Sequence, residues 1–161
     1  MAQWEWGRAA DFDLQAARVW RKVFGRCAVS PVVNHRPRNV FDFEHVWTWR
    51  KPGADGAEWC TDRRLSQRGV LGDGWGSPAG IGRHCAAYPE ELPSWAIQVH
   101  SREPGEVVLD PFAGSMTTLV AAHRLRRRAW GIELDAGYLA DGVERLEAEL
   151  AQLTLLDAGT A

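Results

Sequence analysis

The stretch VVLDPFAGSMTTLVAAHRLRRRAWGIELD, residues 107–135, constrains the fold more than any other part of this 161-residue chain. A β-branched apolar run ending in Asp-Pro-Phe reads as a strand, a Gly-Ser turn leads into helical spacing, and a second apolar run ends in Glu133. The expected elements are a strand over 107–109, a helix over 117–125, a strand over 129–132 and a helix over 137–153. Strand, helix, strand, helix with short joints implies α/β architecture with a parallel, doubly wound sheet.

In such a sheet ligands sit beyond the carboxyl ends of the strands, and both informative loops lie at such ends. Asp110-Pro111-Phe112-Ala113-Gly114-Ser115 leaves the first strand. Gly114 lets a ligand approach the backbone, and N–H groups at the following helix start can face a polar or negative group. Glu133, at the tip of the adjacent strand, can accept hydrogen bonds from the two hydroxyls of a ribose. A glycine loop after one strand and an acid after the next suits a nucleoside-containing cofactor. The G-x-G-x-x-G spacing of dinucleotide sites is absent, which counts against NAD.

Upstream, residues 13–24 (DLQAARVWRKVF) carry apolar residues near helical spacing and are expected to form an amphipathic helix. Residues 27–34 read as a short strand with a bulge or edge position at Pro31. After the HRPRN turn, 40–50 alternates like a strand. Residues 51–82 are dense in glycine and charge and read as a long loop. Residues 88–101 form a helix, with Pro89 in its first turn and Glu90 and Glu91 complementing its dipole.

The size fits one domain, with roughly 70% of the unfolded surface buried. No apolar run approaches the ~18 residues of a membrane span, and the N-terminus lacks a signal-peptide pattern, so a cytoplasmic protein with no membrane association is expected. Cys27, Cys60 and Cys85 are too scattered for a disulfide framework or zinc site, and no metal is expected. The net charge of -2 hides an asymmetry: 13 Lys/Arg against 9 Asp/Glu in residues 1–84 gives +4, and 6 against 12 in residues 85–161 gives -6. The basic half is the better face for a polyanion.

Residues 84–146 (HCAAYPEEL, then VVLDPFAGSMTT, then RRAWGIELDAGY) resemble the cofactor half of the S-adenosylmethionine-dependent DNA methyltransferases that modify an amino group of adenine or cytosine. The order of motifs is that of the permuted beta group, found in restriction-modification systems. The resemblance implies a Rossmann-like methyltransferase fold, incomplete or truncated on its N-terminal side, and S-adenosylmethionine as cofactor. It implies that His84, Tyr88 and Pro89 lead into the cofactor cleft. Asp110, Phe112, Gly114 and Thr117 would line its methionine side and Glu133 would take the ribose, with Pro111, Ser115 and Asp135 also counted among the cofactor-binding residues. Phe112 would pack against the adenine or sulfonium region, or in the core. The family's second loop glycine is Met116 here. A positive φ would strain it, whereas a negative φ would let its side chain cover the pocket.

The resemblance also implies a catalytic Asp, Asn or Ser followed by Pro-Pro and an aromatic, which hold a flipped base. No Pro-Pro pair occurs in the chain. Residues 1–52 resemble, more weakly, the family's segment downstream of that motif, with 53–82 as the target-recognition loop and 83–153 as the cofactor half. In an alternative alignment Ser30-Pro31-Val32-Val33 is a degenerate catalytic motif with Ser30 as its residue. DNA is the implied substrate, met by Arg36, Arg38, Lys51, Arg63, Arg64 and Arg68. The rival reading is a non-catalytic cofactor-binding subunit that needs a second polypeptide or a homodimer. An RNA or small-molecule methyltransferase is a third.

Overall fold

The computed structural model describes residues 11–21, 32–33, 36–37, 43–53, 63–72, 88–101 and 104–158. Its elements are β1 (Asp13–Arg21), β2 (Val32–Val33), β3 (Arg36–Pro37), β4 (Phe43–Arg50), α1 (Arg63–Ser66), β5 (Val70–Leu71), α2 (Glu91–His100), β6 (Val107–Asp110), α3 (Thr117–Arg124), β7 (Arg128–Gly131) and α4 (Ala136–Ala158).

Three ladders organise them. The order β4-β1-β5 forms a mixed sheet, β2 and β3 make a short antiparallel pair, and β6 and β7 run parallel. The C-terminal series of strand, helix, strand and helix falls where the sequence pattern puts it.

Of the expected helix over 13–24, the described part, 13–21, is instead strand β1, which pairs antiparallel with β4 from Asp13↔Arg50 to Arg21↔Phe43; residues 22–24 lie outside the described residues. Two signals conflicted. Leu14, Ala16, Arg18 and Trp20 alternate toward the partly buried face, but a charged residue at the third position breaks the visible period of two. Arg18 tolerates that position because its guanidinium lies over the Trp95 ring, 5.0 Å from the centroid, and its Nε donates to the Arg68 carbonyl at 3.0 Å. Cross-strand pairing then overrides local helical spacing. The long loop over 51–82 likewise contains α1 and β5, and the HRPRN turn contributes Arg36–Pro37 to a strand.

Helix α2 joins the two main ladders because two of its faces are buried. Trp95 and Val99 pack with Leu71 of β5, joined by Trp20, Val46 and Leu65. Ile97, on another face, packs with Ala121 and Ala122 of α3. Trp95 also donates its indole N–H to the Leu65 carbonyl at 3.0 Å. This satisfies the polar end of a buried ring.

Helix α3 ends in a Schellman motif. Arg126 is left-handed (φ 60), its N–H reaches the His123 carbonyl at 2.9 Å, and the Arg127 N–H reaches the Ala122 carbonyl at 2.8 Å. The turn therefore closes without glycine, and β7 starts four residues after α3 ends. Arg124 ties the surface together, with its guanidinium on Glu90 at 2.9 Å and Glu149 at 2.7 Å.

The β6–β7 pair has two unlike faces. Val108 and Ala129 pack on α3 and α2. On the other face Val107, Leu109, Trp130 and Ile132 are exposed, Leu109 by 59% and Trp130 by 70%. Leu109 and Trp130 are direct cross-strand partners. Among the described residues no helix is long and apolar enough to cross a membrane.

Candidate functional site

Because β6 and β7 are parallel and Asp110 pairs with Gly131, the loops that leave them lie side by side. Hydrogen bonds continue the ladder beyond the strands. The Ile132 N–H donates to the Asp110 carbonyl at 2.9 Å, and the Ala113 N–H to the Ile132 carbonyl at 2.9 Å. Gly131 permits this approach, since a Cβ there would lie 2.9 Å from the Ala113 Cβ and 3.0 Å from Leu119.

The Glu133 carboxylate bridges the two loops. One oxygen accepts the Gly114 N–H at 2.8 Å and the other the Asp135 N–H at 2.9 Å. Each carboxylate oxygen thus meets a backbone N–H of a different loop. Asp135 uses Oδ1 to accept the N–H groups of Gly137 at 2.8 Å and Tyr138 at 2.9 Å. That is an N-cap, which fixes where α4 starts.

Asp110 turns one oxygen back to the Phe112 N–H at 3.0 Å and receives the Tyr88 hydroxyl on the other at 3.3 Å. With that proton committed to Asp110, the Thr118 hydroxyl is the donor in its 2.7 Å contact with the Tyr88 oxygen. Burial pushes the Tyr88 phenol above its ordinary value and the Asp110 charge adds to this, against the opposing Thr118 bond. The phenol therefore stays protonated and links the start of α2, strand β6 and helix α3.

Phe112 is 86% exposed, which excludes the core alternative and leaves its ring beside the strand ends. Pro111 is exposed, whereas Gly114, Ser115 and Thr117 are buried. Met116 takes the strained alternative, with φ 59 and ψ 28 at the N-cap of α3. Its side chain is 5% exposed and packs with Ala113 and Leu119, so it fills the core and does not cover the strand ends.

His84 and Ser30 lie outside the described residues, as does Arg38. Arg36 falls in β3 and Arg63 in α1, while Lys51, Arg64 and Arg68 are exposed. Sequence reasoning passed over Thr118, Gly131, Gly142 and Arg145, all of which hold the loop geometry. Two of them gave a signal: Gly142 as an isolated glycine inside a helical pattern and Gly131 as one inside a strand pattern, a mark of close backbone approach.

Residues 18–144 match the DNA methylase family (N6_N4_Mtase). The chain belongs to that family.

Among similar DNA methylases, the type II beta methyltransferase M.BslI of Bacillus sp. (strain NEB-606) is 36% identical over 124 residues, covering 65% of this chain and 12% of that enzyme. A candidate DNA modification methylase of Thermus thermophilus, solved in complex with S-adenosyl-L-methionine, is 30% identical with a TM-score of 0.59. The match covers 88% of this chain and 56% of that one. The PvuII cytosine-N4-specific DNA methyltransferase has the same fold, at a TM-score of 0.68 and 21% identity, with 54% of its length covered. The architecture is thus the Rossmann-like methyltransferase fold, and the chain spans well under two thirds of the length of these relatives.

Proposed function

We propose that this DNA methylase chain is the cofactor-holding part of an S-adenosylmethionine-dependent DNA amino-methyltransferase. The observation that carries the reading is the Glu133 carboxylate joined to the Gly114 N–H across two strand-end loops. The residues fit the cofactor. Glu133 is an acceptor group at the tip of the second strand, the place for ribose hydroxyls in such a sheet, Gly114 adds no side chain to the loop, and Phe112 with the exposed Leu134 offers apolar surface for the adenine.

In this reading Asp110, Pro111, Phe112, Gly114, Ser115 and Thr117 border the methionine side. Tyr88 and Pro89 hold the entry, with His84 before them, and Asp135 orients the ribose loop through its cap. The bound cofactor supplies a sulfonium-activated methyl group. The chain's own part is to place that methyl at the strand ends and keep the loop backbone ordered.

The substrate is proposed as an exocyclic amino group of adenine or cytosine in DNA. Residues 53–82 are assigned to target recognition, 1–52 to the segment after the catalytic motif and 83–153 to the cofactor half. Arg36, Arg38, Lys51, Arg63, Arg64 and Arg68 contact phosphates, a role that positions DNA without reading it. The compartment is the cytoplasm, where DNA lies.

A second observation favours dependence on another polypeptide. The exposed face of Val107, Leu109, Trp130 and Ile132 is apolar surface of a kind that monomeric proteins rarely leave contiguous. A polypeptide that carries the Pro-Pro-aromatic strand would cover this face and complete the sheet.

The test is a calorimetric titration of the purified chain with S-adenosylmethionine, beside a methyl-transfer assay on unmethylated genomic DNA. The expected result is binding without transfer. Absence of binding overturns the cofactor reading. Robust transfer abolished in Ser30→Ala overturns the need for a partner and makes Ser30 the catalytic residue.

A further inference from the structure

Met116 holds a backbone conformation that a long side chain disfavours, and contacts on every side hold it there. The Arg145 Nη1 of α4 donates to the Ser115 carbonyl at 2.9 Å and to the Thr117 Oγ1 at 3.0 Å. One guanidinium nitrogen thus spans the residues on either side of the left-handed one. The Met116 side chain lies in a slot on α4 that exists because residue 142 has no Cβ. Its own N–H reaches the Ala113 carbonyl at 2.7 Å, and its carbonyl accepts the Val120 N–H at 3.0 Å.

We propose that Arg145 is a positioning residue for the cofactor loop, holding Ser115, Met116 and Thr117 in the left-handed turn that aims the Gly114 N–H at Glu133. The inference rests on the reading that this loop binds S-adenosylmethionine. Arg145 touches no reacting atom. It acts by keeping the binding-competent loop populated, because a ligand's apparent affinity falls in proportion to the fraction of molecules in the competent state. A glycine at 116 would hold the same φ at little steric cost. Only a chain with a side chain at 116 therefore depends on the brace.

This dependence predicts coupling between positions 145 and 116. Calorimetry with S-adenosylmethionine would compare the full chain with Arg145→Ala, Met116→Gly and the double variant. Arg145→Ala should weaken binding about tenfold, and by under about threefold in the Met116→Gly background, where the competent turn no longer needs support. Arg145→Lys, which keeps a donor to the loop, should recover most of the affinity.

Wild-type affinity in Arg145→Ala would overturn the proposal, as would an equal loss in both backgrounds. If Arg145→Ala does not fold, Arg145→Met, which keeps an apolar stem without a donor, replaces it in the same comparison, and wild-type affinity in Arg145→Met or an equal loss in both backgrounds overturns the coupling. Amide hydrogen exchange without ligand separates this inference from the cofactor reading. Arg145→Ala should speed exchange at Gly114 and Met116 whether or not the chain binds S-adenosylmethionine. Unchanged exchange sinks the brace, whereas failure of the wild-type chain to bind sinks only the cofactor reading.

Discussion

The Met116 Cγ lies 2.8 Å from the point that a Cβ on residue 142 would occupy, and the Gly114 carbonyl oxygen lies 2.9 Å from it. A glycine in a helix interior costs about 0.5 to 1 kcal/mol relative to alanine. Here that cost makes room for a side chain at a position where the family resemblance expects none. Gly142→Ala should therefore reverse the usual gain and destabilise the chain by about 1 to 3 kcal/mol through overpacking. Met116→Ala should recover part of the loss, the remainder belonging to the Gly114 carbonyl. Urea unfolding of both single variants and the double variant measures this, and a stabilised Gly142→Ala would refute the packing.

Glu133 accepts a backbone N–H on each carboxylate oxygen, so amidation should be nearly as harmful as truncation. In Glu133→Gln one acceptor becomes an NH2 group facing an N–H donor, and either the loop or the amide must turn away. Glu133→Ala and Glu133→Gln are both expected to lose about 1 to 3 kcal/mol of S-adenosylmethionine binding, the range for a charge-assisted bond. Titration calorimetry reads this directly. Wild-type affinity in Glu133→Gln would remove the carboxylate from the ribose.

His100 ends α2 beside the β1–β4 sheet, with its Nε2 3.3 Å from the Thr48 hydroxyl and its ring edge-on to Trp95 at 6.0 Å. Burial, and then the Arg18 charge, hold its pKa below the ordinary 6.5. Between the folded and unfolded pKa values the unfolded chain binds more protons, so folding stability falls as pH drops. The loss begins near the ordinary value of 6.5 and levels off below the depressed folded value. His100→Gln should flatten this acid limb in denaturant unfolding followed from about pH 7.5 to about pH 5, a range that brackets the ordinary histidine pKa. An unchanged limb would assign the dependence to other groups.

Legibility in the sequence depended on whether local or tertiary contacts decide an element. The series from 107 to 153 is readable because its signals are local: β-branched runs, Gly114 at a turn, helical spacing after each strand end. Strand β1 was not, because its hydrophobic alternation includes Arg18, whose place on that face depends on Trp95, 77 residues away. The clasp of Glu133 on Gly114 could be anticipated only as two strand ends meeting. The brace from Arg145 could not, since an arginine in an exposed helical pattern reads as solvated surface. Met116 shows the limit most clearly, because the sequence leaves both signs of φ open, and the room at Gly142 that accommodates its side chain is a tertiary contact.

The segment with α1 and β5 is anchored where it meets β1. The Val19 N–H donates to the Gly69 carbonyl at 3.1 Å and Arg18 to the Arg68 carbonyl at 3.0 Å, which fixes the backbone at 68–69 while the Arg64 and Arg68 side chains stay exposed. Exposed arginines beside an anchored backbone suit phosphate contacts. Each phosphate neutralised contributes about 0.9 to the slope of log affinity against log salt. Replacing Arg63, Arg64 and Arg68 together with glutamine should flatten that slope by up to about 3. S-adenosylmethionine affinity should not change, since the strand-end loops lie on other elements. Fluorescence anisotropy with a labelled duplex between 50 and 300 mM salt, roughly the span over which such contacts weaken, measures the slope. A slope equal to wild type would move the DNA face away from this segment.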